Sequence, residues 1–232
     1  MMVLAVMFLL PFAVMAGSLD PSAPPEDGTM HSLEDIYNAV TGNCPEPGCA
    51  ACEGVPVART GQTASYYTGD DGEHQKGIAG PSPRFTVNSD NCTVTDNLTG
   101  LIWLQDANYI QTTYPEYDAD ATAGDGRVTW QHALDFVEKL NDGTYTACGG
   151  GYTDWRLPNI KELQSLTDFG NHTPALPSGH LFMNVQSYNY WSGTSCALNI
   201  DGVWSVSMVN GGVNCYYKSY FYYVWPVRGG ND

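Results

Sequence analysis

Basic side chains are scarce in this sequence: 9 Lys and Arg stand against 25 Asp and Glu in 232 residues, a formal net charge of -16. Such a surface repels DNA, RNA and sulfated glycans at long range unless a local basic patch compensates, and the nine cations are scattered along the chain. Histidines are few as well. His31, His74, His132, His172 and His180 have no Ser or Cys partner at a nucleophile elbow, and no Gly-rich phosphate loop is present, so hydrolase and nucleotide readings find no footing. Long apolar runs are missing beyond the first 16 residues. That opening run, Met1 to Ala16 followed by Gly17, reads as a signal-peptide core with cleavage after Ala16, although it lacks a basic flank. It is short for a membrane span, so no stable span is expected once it is removed, and the protein is expected to be secreted or held at the cell surface.

Export allows disulfides, and there are 7 cysteines. Cys44, Cys49 and Cys52 crowd into "CPEPGCAAC", whereas Cys92, Cys148, Cys196 and Cys215 are far apart. A zinc site would need a second close pair or nearby histidines, so a local disulfide is the reading for the first group. The odd count leaves a thiol over, and the pairing stays open.

Residues 17–59 are rich in Pro and Cys and read as a tether with one short helix, "HSLEDIYNAV", capped by Ser32 and Asp35. A domain over residues 60–232 follows, its first strand near Arg84. "RFTVNSDNCTVTDNLTGLIWL" alternates and reads as two strands joined at Asn88 to Asn91. "TWQHALDFVEKLNDG" places Ala133, Phe136, Val137 and Leu140 on one helical face. "LPNIKELQSLTDFG" reads as a second helix, starting at Pro158 and capped by Gly170. "VWSVSMVNGGVNCYY" alternates about an Asn-Gly-Gly turn and reads as a hairpin. Strands, two helices, loops and returning strands make an α+β class.

"VTDNLTGLIW", "TWQHALDFV", "DWRLPNIKELQSL", "YWSGT" and "YVWPVRGG" occur in that order between residues 94 and 230. Together they resemble the Lcl_C family, the C-terminal domain of the Legionella collagen-like adhesin, which is similar to the C-type-lectin-like fold in its formylglycine-generating-enzyme branch. The resemblance implies two helices on small antiparallel sheets, long loops on a ligand face, and adhesion or glycan binding. The sulfated polysaccharides associated with the family do not suit a chain of net charge -16. Within "DWRLPN", Trp155 and Leu157 are expected in the core, with Arg156 paired to a carboxylate such as Asp154 or Glu162.

The densest aromatic stretch is "NCYYKSYFYY". Tyrosine brings a large apolar face and a hydroxyl at low rotamer cost, and without strict alternation some rings must face water. At Asn214 to Tyr217 and Ser219 to Tyr223 every residue type can be reached from an AAC asparagine codon by replacing adenines. Relatives with Asn-rich runs here serve as variable proteins of diversity-generating retroelements, so the resemblance implies a diversified surface, to which "CALNI" after "YWSGT" belongs. The expected ligand-binding residues are therefore Cys196, Leu198, Asn199, Ile200, Asn214, Cys215, Tyr216, Tyr217, Ser219, Tyr220, Phe221 and Tyr222. Cys196 and Cys215 then read as incidental products of variation rather than a bridge.

No catalysis and no cofactor are expected. Cysteine oxidation, known in relatives of the fold, would rest on Cys196 and Cys215 alone, which lack polar machinery around them. "DADATAGDG" is a solvated acidic loop, with calcium at Asp118, Asp120 and Asp125 as its second use. The expected partner is an unidentified protein or glycan, not nucleic acid. The other reading is a surface or filament subunit that self-assembles through the aromatic face.

Overall fold

The computed structural model describes residues 57–118, 122, 124–146 and 151–230. Backbone contacts divide the chain between Pro56 and Val57, and all the described residues belong to the second unit. The apolar run 1–16, the helix expected near residue 31, Cys44, Cys49, Cys52, Cys148 and Asp120 lie outside the described residues. No described helix is long and apolar enough to cross a membrane.

The class is α+β, built on two antiparallel sheets. In the first, β1 (Phe85–Val87), β2 (Thr93–Asp96) and β3 (Ile102–Leu104) are joined by β7 (Val227–Arg228), in the order β1-β2-β3-β7. The second contains β4 (Asn189–Cys196), β5 (Asn199–Ser207) and β6 (Val213–Tyr217) in that order. The helices are short: α1 (Asp71–His74), α2 (Tyr109–Thr113), α3 (Trp130–Asn141) and α4 (Ile160–Ser165), with a 3-10 turn at Pro115–Tyr117.

Local chemistry sets these boundaries. Thr129 caps α3 by accepting the His132 N–H, and Ala133, Phe136, Val137 and Leu140 are buried along its inner face, as the spacing predicts. The α4 helix begins later than Pro158 suggests. Asn159 is its cap, accepting from the Lys161 and Glu162 N–H groups while Glu162 reaches back to the Asn159 N–H, a complete capping box. Gly170 is not its C-terminal cap. The helix ends at Ser165, where the Thr167 hydroxyl takes the Gln164 carbonyl (2.7 Å), and Gly170 instead lies where a side chain would meet the Gly61 backbone.

The stretch after Asn91 makes two strands rather than one. Asp96 turns the chain: its carboxylate accepts the Leu98 N–H (3.0 Å) and the Thr99 hydroxyl (3.1 Å), and Arg84 pairs with it at 3.3 Å. Asp96 is fully buried, so these partners offset the desolvation of a charged group. The expected hairpin around Asn210-Gly211-Gly212 is present as β5 and β6, with Gly211 at φ +75 where a Cβ would be strained.

Residues 222–227 run between the two sheets. Tyr222 bridges Val128, Tyr223 bridges Tyr190, and Val227 pairs with Trp103 on one side and Arg156 on the other. Trp225 is fully buried, edge-on to Trp103 (5.8 Å) and Phe182 (4.8 Å), and its indole N–H donates to the Leu104 carbonyl (2.8 Å). Only Val227 and Arg228 are in strand geometry, so Pro226 precedes β7 and its missing N–H breaks no ladder bond, while its carbonyl accepts the Leu104 N–H (3.2 Å). Arg156 pairs bidentately with Glu162 (2.7 and 2.8 Å), while Asp154 is held by Arg228 (2.8 Å).

Candidate ligand-binding face

The β4–β5 hairpin turns at Ala197 and Leu198, and its tip is fastened to β6. Tyr217 stands opposite Gly202, Tyr216 opposite Val203 and Cys215 opposite Trp204. Cys196 and Cys215 are joined by a disulfide, with their Cα atoms 6.4 Å apart. This corrects the reading of the two cysteines as incidental: the bond ties together the two segments whose composition marks them as a surface. A Cβ on Gly202 would lie 2.6 Å from the Cys215 sulfur, so only glycine leaves room for the bridge. An isolated Gly inside the alternating "IDGVWSVS" run was the available signal for that close approach.

Lys218 finishes the attachment. Its N–H donates to the Asp201 carbonyl (2.8 Å) and its ammonium to the Ile200 carbonyl (2.7 Å). The ammonium also sits 4.7 Å from the Trp130 ring centre, and the Trp130 N–H donates to the Lys218 carbonyl (3.1 Å). The residue that breaks the tyrosine run therefore fixes the tip, and sequence spacing gives no hint of its two partners.

Exposure divides the predicted site residues. Leu198 is fully exposed and Ile200 is 81% exposed, with Tyr217 at 54%. Tyr220, Phe221, Asn214, Cys215 and Ser219 are exposed too, and Asn199 and Tyr216 are half-buried. Tyr222 and Cys196 are buried, a correction to their place on the surface. Tyr222 packs on Trp191 (4.5 Å between ring centres) and takes Tyr216 edge-on above it (5.2 Å). Tyr220 lies 6.1 Å from Tyr216 and 5.9 Å from Tyr217. Rings thus lead from the core to water, each outer one resting on one below. Burial is the first cause that pushes the Tyr222 phenol well above its usual range, with Tyr216 adding to it, so the hydroxyl stays protonated at neutral pH.

The cations of the chain are largely committed elsewhere. Arg84, Arg127, Arg156 and Arg228 form ion pairs, and the Lys218 ammonium faces a carbonyl and an indole. In the acidic loop, the Asp118 carboxylate accepts the N–H groups of Gly124 (3.0 Å) and Gly126 (2.8 Å), and Asp125 pairs with Arg127. Two of the three carboxylates considered for calcium thus hold their own loop. As for cysteine chemistry, Cys196 and Cys215 in disulfide form carry no thiolate to bind a metal.

Residues 92–228 match the family described as the Lcl C-terminal domain. No curated protein matches the chain.

Proposed function

The chain belongs to the Lcl C-terminal domain family, and we propose that it is an exported binding protein that takes a protein or glycan on its disulfide-fastened tip without transforming it. One observation carries this reading: Leu198, Ile200, Tyr217, Tyr220 and Phe221 are exposed together where the β4–β5 turn meets the end of β6. Contiguous apolar side chains left in water mark an interaction surface, and tyrosines are the side chains best suited to varied partners. A disulfide within the domain accords with an oxidising compartment, hence secretion or display at the cell surface. The occupied arginines and the charge of -16 argue for a neutral or basic partner rather than a sulfated polysaccharide.

The tip is the diversified region in this reading. Its outer positions are free to change because the disulfide, Lys218 and the buried Tyr222 hold the backbone from beneath.

The test compares the wild-type chain with a Leu198→Asp/Ile200→Asp variant on arrays of cell-surface proteins and uncharged glycans. Binding by the wild type that falls at least tenfold in the variant, with unchanged melting temperature, supports the tip as the recognition face. Equal binding by both sinks it. Sedimentation of the wild type separates the self-assembling alternative, since a concentration-dependent oligomer abolished by the same variant would assign the tip to assembly instead.

A further inference from the structure

The second sheet ends at β6, and the bonds within that sheet fix which way the β6 backbone faces. The Gly212 carbonyl accepts the Ser207 N–H (2.8 Å), and the Lys218 N–H donates to the Asp201 carbonyl (2.8 Å). Hydrogen-bonded positions alternate along an antiparallel pair, so Asn214 and Tyr216 also turn their backbone groups to β5, opposite Ser205 and Val203. Val213, Cys215 and Tyr217 turn theirs outward. Among the described residues, the one hydrogen bond to this outer row runs from the Tyr220 N–H to the Tyr217 carbonyl (3.0 Å). Left open are the N–H and C=O of Val213 and of Cys215 and the N–H of Tyr217. Successive residues of the row are about 6.7 Å apart.

The other sheet edges are closed or short. On β4, the Trp191 N–H donates to the Tyr223 carbonyl (3.0 Å) and the Gly193 N–H to the Pro158 carbonyl (2.8 Å). On β7, Val227 exchanges two bonds with Arg156 (2.9 and 3.0 Å), and β1 has 3 residues. Edge strands that stay unpaired are commonly guarded by a Lys, a Pro or a bulge. The β6 sequence, "VNCYY", has no charge and no proline, and its register with β5 is unbroken. Lys218 follows at its end, but the ammonium is turned back onto the Ile200 carbonyl and the Trp130 ring. The edge is left unguarded.

The same edge is held in place from within. The disulfide to Cys196 anchors the middle of the row, and Tyr216 rests on Tyr222, so an incoming strand meets a template that is already ordered. Its alternate side chains would lie beside Tyr217 and the disulfide on one face, and beside Asn214 and Tyr216 on the other. Charge chooses the occupant. Two copies of a chain of net charge -16 repel each other, whereas a segment carrying Lys or Arg is attracted, and the exposed Asp201 stands at the end of the edge.

We propose that β6 is a strand-addition site, where an extended basic segment of a partner protein pairs with Val213, Cys215 and Tyr217 and becomes the fourth strand of the second sheet. The edge adjoins the exposed side chains of the tip but works through the backbone, so it stands whether or not those side chains bind a ligand.

The test selects phage-displayed random decapeptides on the full chain with its disulfide intact, then remakes the selected peptides with one N-methyl amide at each position in turn. The expected peptides alternate β-branched or aromatic residues with Lys or Arg and bind with micromolar Kd. N-methylation at every second position weakens binding about tenfold or more, and at the positions between by less than about twofold. Val213→Pro removes an outward N–H and no bond to β5, so it weakens the same peptides about tenfold. Should that variant not fold, the methyl scan on the wild type carries the test. The Leu198→Asp/Ile200→Asp tip variant changes binding by less than about threefold. Selection of no peptide, or of peptides that tolerate a methyl group at every position, overturns the proposal. Peptides that tolerate every methyl group but are lost in the tip variant remove the edge and keep the tip. A wild-type dimer that Val213→Pro dissociates also overturns it, by placing a second copy on β6.

Discussion

Residues 214–221 and 222–228 are neighbours in sequence and both rich in aromatics, yet they live in opposite surroundings. The first group, Tyr216 and Lys218 apart, is exposed and lies at the edge of the second sheet. Tyr222 through Val227 are buried and run between the sheets. Aromatic content alone does not separate core from surface. The difference arises from what each backbone segment pairs with: β6 has a neighbour on one side only, whereas residues 222–227 have bridging partners at Val128, Tyr190, Trp103 and Arg156.

The sharpest way to break the comparison is to truncate an aromatic on the buried side. Trp225→Ala removes a fully buried indole and its hydrogen bond to the Leu104 carbonyl, and leaves a void between Trp103 and Phe182. A loss of about 3–5 kcal/mol is expected, read from urea unfolding, enough to unfold a marginal domain. A loss below about 1 kcal/mol would mean that residues 222–227 are not the structural spine described above.

Much of this frame was legible in the sequence, and the exceptions have physical causes. The α3 face and the β5–β6 hairpin follow from periodicity and turn residues. The α4 stripe was legible in the same way, and of the two carboxylates expected for Arg156, Asp154 and Glu162, it takes Glu162. The turn at Asp96 went unread because its stop signal is a single buried carboxylate organised by Arg84, a contact made across the fold. Gly170 looked like a helix cap because "DFG" follows a helical stripe; its real reason is the approach of the Gly61 backbone. At the tip, composition singled out two segments that the strand pairing brings side by side, but it misjudged the cysteines, since a bond between residues 19 positions apart needs strand register to become visible. Lys218 went unread for the same reason: Ile200 and Trp130 are distant in sequence.

A smaller effect is expected where the spine is held by charge. Burial acts to raise the Glu162 carboxyl, but hydrogen bonds from Arg156 and the Asn159 N–H, with the Arg156 charge, outweigh it and leave the group below its usual range. A depressed folded value means that the contribution is fully present above the unfolded carboxylate value of about 4.3 and fades as pH falls through the folded one. Glu162→Gln should therefore cost about 1–2 kcal/mol at pH 7, discounted for the part-exposed Arg156. The gap between variant and wild type should close below about pH 4. Unfolding followed at pH 7, 5 and 3 checks this, and a gap that widens in acid would reverse the sign of the argument.

The smallest effect on stability belongs to the exposed side, and there it becomes informative about function. Tyr217→Ser removes a ring that is 54% exposed and should change unfolding free energy by no more than about 0.5 kcal/mol. A segment so cheaply altered can carry variation without losing the fold. If the tip is diversified by adenine replacement, copies of this gene from its source population will differ at Leu198 to Ile200, Asn214, Tyr216, Tyr217 and Ser219 to Phe221, at adenines of the ancestral codons, while Cys215 stays for its bridge to Cys196. They will keep Trp225, Val227 and the Gly202 that leaves room for the disulfide. Substitutions confined to the tip but without adenine bias would remove diversification while leaving the stability contrast intact. Bias extending into residues 224–227 would instead break the contrast itself, because variation cannot be tolerated where side chains fill the space between two sheets.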